Sequence, residues 1–129
     1  MILVDTSVIV AWLDPDHTHH EACTNALEQA GANDELGVSS VTYAELAAGA
    51  RTQEHVDEQL SIFRRVDLDF ASAWRAGAAF RQYRPAKGED APVLPDFLIR
   101  AQALENNWPH LTNDRRRTKI WAGLEWRWV

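Results

Sequence analysis

Four acidic side chains, spread over most of the chain, could hold a divalent metal ion: Asp5, Glu45, Asp96 and Asp114. Hard cations such as Mg²⁺ and Mn²⁺ prefer carboxylate oxygens and water as ligands. A cation held in this way can convert a bound water into a nucleophile, and two cations can stabilise the attacking and leaving oxygens of a phosphodiester. The single cysteine, Cys23, excludes a zinc site rich in cysteine. A site of this kind could therefore hydrolyse a phosphodiester with Mg²⁺ or Mn²⁺.

The pattern of apolar residues predicts the elements that would position these acids. Strands are expected at 2–4, 36–41, 66–70, 110–112 and 124–128, and helices at 8–12, 18–30, 42–49, 56–63, 71–83 and 97–106. Ser7 is expected to cap the first helix, Gly31 to end the second, and Thr42 to open the third through a capping box with Glu45. Strands that alternate with helices predict an α/β fold with a mainly parallel sheet, in one domain over residues 1–129.

The acids follow or precede these elements where a parallel sheet gathers functional groups. Asp5 ends the first strand, and Asp114 follows the fourth. Sites in such sheets lie outside the carboxyl ends of the strands, so we expect the acids to meet at one edge. Neighbouring polar side chains are expected to orient the ligands or a water molecule: Thr6, Ser7, Thr112 and Asn113.

Each acid also has a simpler explanation. Glu45 could be no more than the capping-box partner of Thr42. Asp96 could serve only to complement the helix dipole, and Asp114 could be a turn residue. Asp5 is the hardest to dismiss, because an acid that closes a buried apolar strand is costly unless it is paired or bound to a metal. The joint pattern, more than any one position, indicates a site.

The chain is acidic, with 13 Lys plus Arg against 19 Asp plus Glu and a formal net charge of −6. This balance argues against broad, non-specific binding of nucleic acid, which depends on an excess of basic residues. It does not exclude a nucleic-acid substrate, since bound cations would offset the acids. The basic side chains after Asp114 are expected either to contact RNA phosphates or to form a solvated surface run: Arg115, Arg116, Arg117 and Lys119.

Two further features bear on location and partners. The chain shows neither the pattern of a signal peptide nor an apolar run long enough to span a membrane, so we expect a cytoplasmic protein without membrane contact. Trp126 and Trp128 share one face of the last strand and are the better tryptophan candidates for a dimer or partner contact. Tryptophans can also stack on nucleic-acid bases.

Four segments resemble, in order and roughly in spacing, the motifs of PIN domains, and especially those of VapC-type toxins from bacterial toxin–antitoxin pairs. They are residues 3–10 (LVDTSVIV), 40–46 (SVTYAEL), 94–101 (LPDFLIRA) and 111–114 (LTND). Many members have an aromatic-containing stretch after the fourth motif, where this chain has the basic residues 115–119. The resemblance covers essentially the whole chain.

The resemblance implies a PIN-like three-layer fold, with a small parallel sheet flanked by helices. It also implies Mg²⁺ or Mn²⁺ in a pocket of four acids, endonucleolytic cleavage of RNA, a homodimer, and a small antitoxin that blocks the site. In this chain the four acids would be Asp5, Glu45, Asp96 and Asp114.

Three other functions remain open at this stage. The first is a phosphatase or phosphotransferase with Asp5 as nucleophile. A haloacid-dehalogenase-like enzyme would need a second acid two residues later, where Ser7 stands, and a receiver domain would need paired early acids and a late lysine. The second is a PIN-like module that only binds a partner, although retention of all four acids argues against it. The third is a housekeeping PIN nuclease.

Overall fold

The computed structural model describes all 129 residues. The strands are β1 (Ile2–Val4), β2 (Leu36–Ser39), β3 (Arg64–Val66), β4 (His110–Thr112) and β5 (Trp126–Trp128). The helices are α1 (Thr6–Leu13), α2 (His20–Asn33), α3 (Ser40–Ala47), α4 (Gln53–Gln59), α5 (Phe70–Gln82) and α6 (Leu94–Glu105). A short 3-10 turn covers Thr118–Ile120.

The five strands form one sheet in the order β3-β2-β1-β4-β5, and every neighbouring pair is parallel. The strand β1 is central, so its carboxyl end, at Asp5, lies between the ends of β2 and β4. In the register of the last pair, Thr112 of β4 lies beside Trp128 of β5. The predicted α/β class with a parallel sheet flanked by helices is confirmed.

Helices cover both faces of the sheet, and each face has its own core. Alternate residues of β1 point to opposite sides, because successive side chains of a strand do so. Ile2 and Val4 pack with residues of α1, α2 and α4, whereas Leu3 packs with residues of α5 and α6. Cys23 lies in the first of these cores as a buried free thiol. The three layers hold the central strand rigidly between two apolar cores.

Several predicted element boundaries are wrong. Gly31 does not end α2, which continues to Asn33. Ser7 is not the cap of α1, which begins at Thr6 after Asp5. The alternation Val66-Leu68-Phe70 is not a strand, because β3 ends at Val66 and Phe70 is the first residue of α5. An apolar alternation is a local signal, and here the cap of the next helix overrides it.

The long connection between α5 and α6 is irregular and spans residues 83–93. The predicted edge strand at the C-terminus is confirmed as β5. No helix combines the length and the apolar character that crossing a membrane would require.

Candidate active site

Asp5 lies at the carboxyl end of the central strand, and its carboxylate is held by hydroxyl groups from two elements. Its Oδ2 accepts hydrogen bonds from Ser7 Oγ at 2.7 Å and from Thr112 Oγ1 at 2.8 Å. Only 8% of Asp5 is exposed. Charge-assisted hydrogen bonds of this kind are stronger than neutral ones. They fix one oxygen of Asp5 and leave Oδ1 as the oxygen without a hydroxyl partner.

The turn after β4 is tied to the same point. Thr112 Oγ1, which donates to Asp5, also accepts from the backbone N–H of Asp114 at 3.0 Å. The backbone N–H of Asn113 donates to Ser7 Oγ at 3.3 Å. These bonds bring Asp114 to the edge where Asp5 lies. Ser7 and Thr112 therefore act as positioning side chains, and Asn113 contributes through its backbone.

Glu45 reaches this edge from α3, and its position corrects the predicted capping box. The helix begins at Ser40, and the side chain of Ser39 accepts from the N–H of Val41 as the cap. Thr42 is therefore inside the helix, and its hydroxyl contacts that of Thr6 at 2.9 Å. Thr6 Oγ1 also donates to Glu45 Oε1 at 2.8 Å. Glu45 is held by Thr6 of α1, beside Asp5, and caps nothing.

Asp96 lies in the first turn of α6, after Pro95. Burial, together with the charges of Asp5 and Asp114, raises the pKa of Asp96. Burial, and then the charges of Asp96 and Asp5, raise the pKa of Glu45, although the bond from Thr6 opposes this. The charges of two other acids thus act on Asp96 and on Glu45, which links the four carboxylates through neighbouring pairs. They form one acidic cluster at the sheet edge, where we expected them to meet.

Arg116 provides a cation within this cluster. Its Nε donates to Asp114 Oδ1 at 2.9 Å and its Nη2 to Oδ2 at 2.8 Å, and Nη2 lies 4.0 Å from Asp96 Oδ2. Burial alone would raise the pKa of Asp114, but the bonds from Arg116 and the charge of Arg100 lower it overall. The hydrogen bonds to Asp114 likewise raise the pKa of Arg116. One acid of the cluster is therefore already paired.

Arg100 is a second, buried cation, and sequence reasoning missed it. Its Nη1 donates to the carbonyl of Arg116 at 2.6 Å, and its Nη2 donates to the carbonyl of Asp114 at 3.0 Å. Nη2 also lies 3.7 Å from Asp114 Oδ2. Burial lowers the pKa of Arg100, and the charges of Asp114, Asp5 and Asp96 oppose this. The signal in the sequence was its place four residues after Asp96, on the same face of the helix.

His110 faces Asp5 from the neighbouring strand and is fully buried. Its Nδ1 lies 3.2 Å from the carbonyl of Leu3, which can only accept, so Nδ1 carries the proton. Its Nε2 lies 4.0 Å from Asp5 Oδ1 and has no hydrogen-bond partner. Burial lowers the pKa of His110 to about 4. The ring is therefore neutral near neutral pH and adds no charge to the cluster.

The basic run after Asp114 does not form one surface. Arg115 is exposed, with its guanidinium 4.6 Å from the ring centre of Trp128. Arg117 turns inwards, where its Nε lies 3.1 Å from Glu89 Oε1 and its Nη2 donates to the carbonyl of Asp90 at 2.8 Å. Lys119 is exposed on the 3-10 turn. Only part of the predicted run is therefore free to contact another molecule.

The donor set suits a hard divalent cation, since it consists of carboxylate oxygens at one edge of the sheet. Burial first, and then the charges of neighbouring acids, raise the pKa values of Glu45 and Asp96, so a bound cation would favour their charged forms. No three His, Cys, Asp or Glu side chains are already arranged at coordinating distances. Metal binding would require the side chains to draw together and Asp114 to exchange its bond to Arg116 for a bond to the ion.

Comparisons with known proteins agree with this geometry. The chain resembles three solved structures: VapBC2 from Rickettsia felis bound to a DNA fragment from its promoter, a toxin–antitoxin complex from Klebsiella pneumoniae, and FitAcB from Neisseria gonorrhoeae. The identities are 20%, 23% and 25%, with TM-scores of 0.72, 0.68 and 0.67. The alignments cover 100%, 95% and 98% of this chain, and 99%, 92% and 96% of those chains. No curated protein gave a significant match.

The model of the PIN domain family matches residues 2–120, a range that includes all four acids of the cluster and the whole of the sheet except β5. The structural likeness to the three solved structures covers at least 95% of this chain. The chain belongs to the PIN domain family.

Proposed function

We propose that this chain is a Mg²⁺- or Mn²⁺-dependent RNA endonuclease that hydrolyses phosphodiester bonds at the acidic cluster. The observation that carries the proposal is the convergence of Asp5, Glu45, Asp96 and Asp114 at the carboxyl edge of the sheet. Membership of the PIN family supports a nuclease, and nucleases of this family are hydrolases.

The residues of the cluster take different parts in the proposed reaction. Asp5, Glu45, Asp96 and Asp114 would hold the ion, which when bound supplies a water-derived nucleophile and positive charge for the phosphodiester. Ser7 and Thr112 fix Oδ2 of Asp5, so that Oδ1 keeps one orientation. Thr6 does the same for Glu45. Such support from outside the ligand set typically strengthens binding at a metal site.

Cations of the chain would meet the negative charge of the RNA. Arg116 is close enough to Asp96 and Asp114 to exchange a carboxylate for a phosphate oxygen as the strand enters. Arg115 and Lys119 are exposed, and they would contact flanking phosphates, which position the strand without reading its sequence. Arg117, held by Glu89, would support the connection at residues 83–93.

A phosphotransferase with Asp5 as nucleophile is less well supported. Two hydroxyl groups hold one oxygen of Asp5, and the residue two positions later is Ser7, which donates to Asp5. No lysine contacts any of the four acids. An idle module that only binds a partner would have no need for Glu45 and Asp96, whose raised pKa values mean that their charges destabilise the fold near neutral pH.

The test of the nuclease is cleavage of single-stranded RNA by the purified chain with Mg²⁺ or Mn²⁺. We expect activity that EDTA abolishes, and loss of most activity in Asp5→Ala and Asp96→Ala. Asp16→Ala is the matched control, because this acid is exposed and lies outside the cluster. Cleavage that persists in both variants would refute the assignment, whereas release of phosphate from a generic ester without cutting of RNA would favour the phosphotransferase.

We further propose that the nuclease is the toxin of a toxin–antitoxin pair and acts in the cytoplasm. The support is the likeness to structures described as VapBC and as a toxin–antitoxin complex. The helix α1, which follows Asp5, exposes Val10, α3 exposes Ala44 and Ala47, and the next residue, Ala48, is also exposed. An amphipathic helix of an antitoxin would bury apolar side chains there and direct an Arg or Lys towards the carboxylates.

Expression in bacteria tests the toxin assignment. We expect growth arrest by the chain alone, relief when a small protein encoded next to it is co-expressed, and no arrest by Asp5→Ala. If the wild-type chain is harmless at high expression and no small protein co-purifies with it, the toxin assignment fails. The nuclease assignment would still stand on the cleavage assay, and the chain would then be a housekeeping nuclease.

A further inference from the structure

The edge strand β5 carries a stack of planar side chains. The rings of Trp126 and Trp128 are 4.8 Å apart between centroids and only 7° from parallel. The guanidinium of Arg115 lies 4.6 Å from the ring centre of Trp128, and that of Arg100 lies 5.1 Å from the ring centre of Trp126. Trp126 is half-buried against the core, whereas 37% of Trp128 is exposed. The stack therefore runs from the core to the surface.

The exposed end of this stack adjoins the acidic cluster. Trp128 pairs in register with Thr112, whose hydroxyl donates to Asp5 and accepts from the N–H of Asp114. Arg115 is the residue after Asp114, and its Nη2 donates weakly to the carbonyl of Val129 at 3.5 Å. The outermost planar groups of the stack thus stand immediately beside a proposed ligand of the ion.

The chemistry of these groups suits a nucleobase. Aromatic rings and guanidinium planes both stack on bases, and such stacking tolerates any base, because every base has a π-face. The chain as a whole has a net charge of −6, but 4 of its 13 Lys plus Arg lie within residues 115–119. Of these four side chains, Arg116 and Arg117 are held by carboxylates, so Arg115 and Lys119 are the exposed cations that are free to meet a phosphate.

We propose that Arg115, supported by the ring of Trp128, forms a stacking subsite for one base of single-stranded RNA, next to the phosphodiester that is cleaved. The base would stack on the guanidinium, because Trp126 and Arg115 already cover the two faces of the Trp128 ring. Trp126 supports the subsite from the core side by holding the ring of Trp128 parallel to its own. The ordered stack needs little further ordering when a base arrives, which lowers the entropic cost of binding. The proposal rests on the proposed nuclease, and it assigns a substrate contact to residues outside the acidic cluster.

The test measures the affinity of a fluorescently labelled RNA of about ten nucleotides, a length within the range of single-strand binding sites. All proteins carry Asp5→Asn, so that the RNA stays intact. We expect Trp128→Ala to bind roughly tenfold more weakly, as removal of a stacking partner typically does. Trp128→Phe, which keeps a ring, should recover most of the affinity. Ile62→Ala, which removes an exposed apolar side chain in the groove beside α2, should bind as the parent does.

A second RNA series identifies the contact as stacking. Single abasic nucleotides are moved along the strand, and one position should weaken binding to the parent protein about as much as Trp128→Ala does. The same abasic RNA should bind Trp128→Ala no more weakly than intact RNA binds it. The melting temperature and the circular dichroism of each variant check that it is folded. If Trp128→Ala does not fold, Arg115→Ala takes its place, with the same expectations.

The possible failures can be told apart. Equal loss for intact and abasic RNA would show that Arg115 and Trp128 act through the phosphates, and would overturn the stacking subsite. Unchanged affinity in folded Trp128→Ala would overturn it too, while cleavage by the chain with an intact Asp5 would still support the nuclease. If that chain neither binds nor cuts RNA, both the nuclease and the subsite fail.

Discussion

Arg116 forms the shortest ion pair with the acidic cluster. It pairs with Asp114 through two hydrogen bonds and stands 4.0 Å from Asp96. A metal ion bound by Asp114 would compete with this guanidinium, because both need the same oxygens. Metal binding and the ion pair of Arg116 with Asp114 therefore oppose each other. A substitution that removes the guanidinium of Arg116 should strengthen metal binding.

We expect Arg116→Gln to bind Mn²⁺ more tightly than the wild-type chain, by about fivefold at most. The limit follows because Arg116 is largely exposed, and exposed ion pairs are worth roughly 1 kcal/mol or less. Titration calorimetry measures the affinity without any need for activity. Arg115→Gln is the matched control, since it removes the neighbouring charge but no bond to Asp114. Equal affinity in wild type and Arg116→Gln would show that Arg116 does not oppose the ion.

The acids of the cluster also predict how stability depends on pH. Burial and the charges of Asp5 and Asp114 raise the pKa of Asp96 in the folded chain. An acid whose folded pKa is raised destabilises the fold above the unfolded pKa of ~4, and the effect disappears below it. In EDTA near pH 7, Asp96→Asn should therefore keep or raise the melting temperature, by roughly 4 °C for each kcal/mol relieved.

At about pH 3, where Asp96 is protonated, the same variant should have the melting temperature of the wild type. The exposed Asp16 supplies the control variant Asp16→Asn, which should change little at either pH. A clear drop in the melting temperature of Asp96→Asn at neutral pH would instead mean that the carboxylate of Asp96 stabilises the fold.

At the scale of elements, the start of α5 shows that a helix cap sets the boundary of an element. Asp69 accepts from the N–H of Ser72 at 3.0 Å and from its hydroxyl at 2.6 Å, and also from Asn106 Nδ2 at 3.3 Å. The cap starts the helix at Phe70 and breaks the apolar alternation that predicted a strand there. Asn106 follows α6, so Asp69 also ties the two helices of this layer together.

Loss of this cap should destabilise the chain in a way that depends on pH. The hydrogen bonds from Ser72 lower the pKa of Asp69, so its contribution is present above the unfolded pKa of ~4 and is lost as the pH falls through the folded value. We expect Asp69→Ala to lower the free energy of unfolding by about 1 kcal/mol near pH 7, as loss of a cap usually does. Urea denaturation near pH 7 and near pH 2 should show the difference from wild type shrinking on acidification.

The cap of α4 gives the comparison. Thr52 caps that helix through a neutral hydroxyl, which accepts from the N–H of His55 at 3.2 Å. Thr52→Ala should therefore cost a similar free energy at both pH values. If Asp69→Ala keeps its full effect at low pH, the carboxylate contributes through packing and its charge plays no part.

On the scale of the whole molecule, the outer side of α5 lacks a partner. Phe70 is 94% exposed and Trp74 is 76% exposed, and their spacing places them on one face of the helix. Trp74 and Ile120 line the same surface groove. Exposed rings this large are unusual on a monomer and are typical of interfaces. This face is a better dimer candidate than Trp126 and Trp128, whose rings already stack on each other.

We expect the wild-type chain to be a homodimer and Trp74→Glu to be a monomer, because a charge in an apolar interface is left without a partner. Sedimentation or light scattering measures the mass. Ile62→Glu is the control, since Ile62 is 60% exposed but lies in a groove with residues of α2, away from α5. A dimeric Trp74→Glu, or a monomeric wild type, would rule out this interface.

The sequence by itself determined the kinds of elements, the parallel sheet and the four acids that gather at its edge. Those signals are local: a short apolar run, a helical period, and an acid placed directly after a strand or in the first turns of a helix. The role of the acids as ligands of a metal ion stays a prediction until the ion is measured. The boundaries of the elements were predicted less accurately. A helix begins where one side chain, such as Ser39 or Asp69, accepts a hydrogen bond from a backbone N–H, and the apolar pattern does not mark that residue.

Only the tertiary structure decided which charges and rings surround the acids. Thr112 donates to Asp5 across 107 positions, and the ring of His110 turns its unpartnered Nε2 to the same carboxylate. The pairing of Arg116 with Asp114, the burial of Arg100 and the stack on Trp128 likewise follow from how the turn after β4 packs on α6 and β5. No periodicity in a chain encodes such contacts, because they arise when distant segments exclude water together.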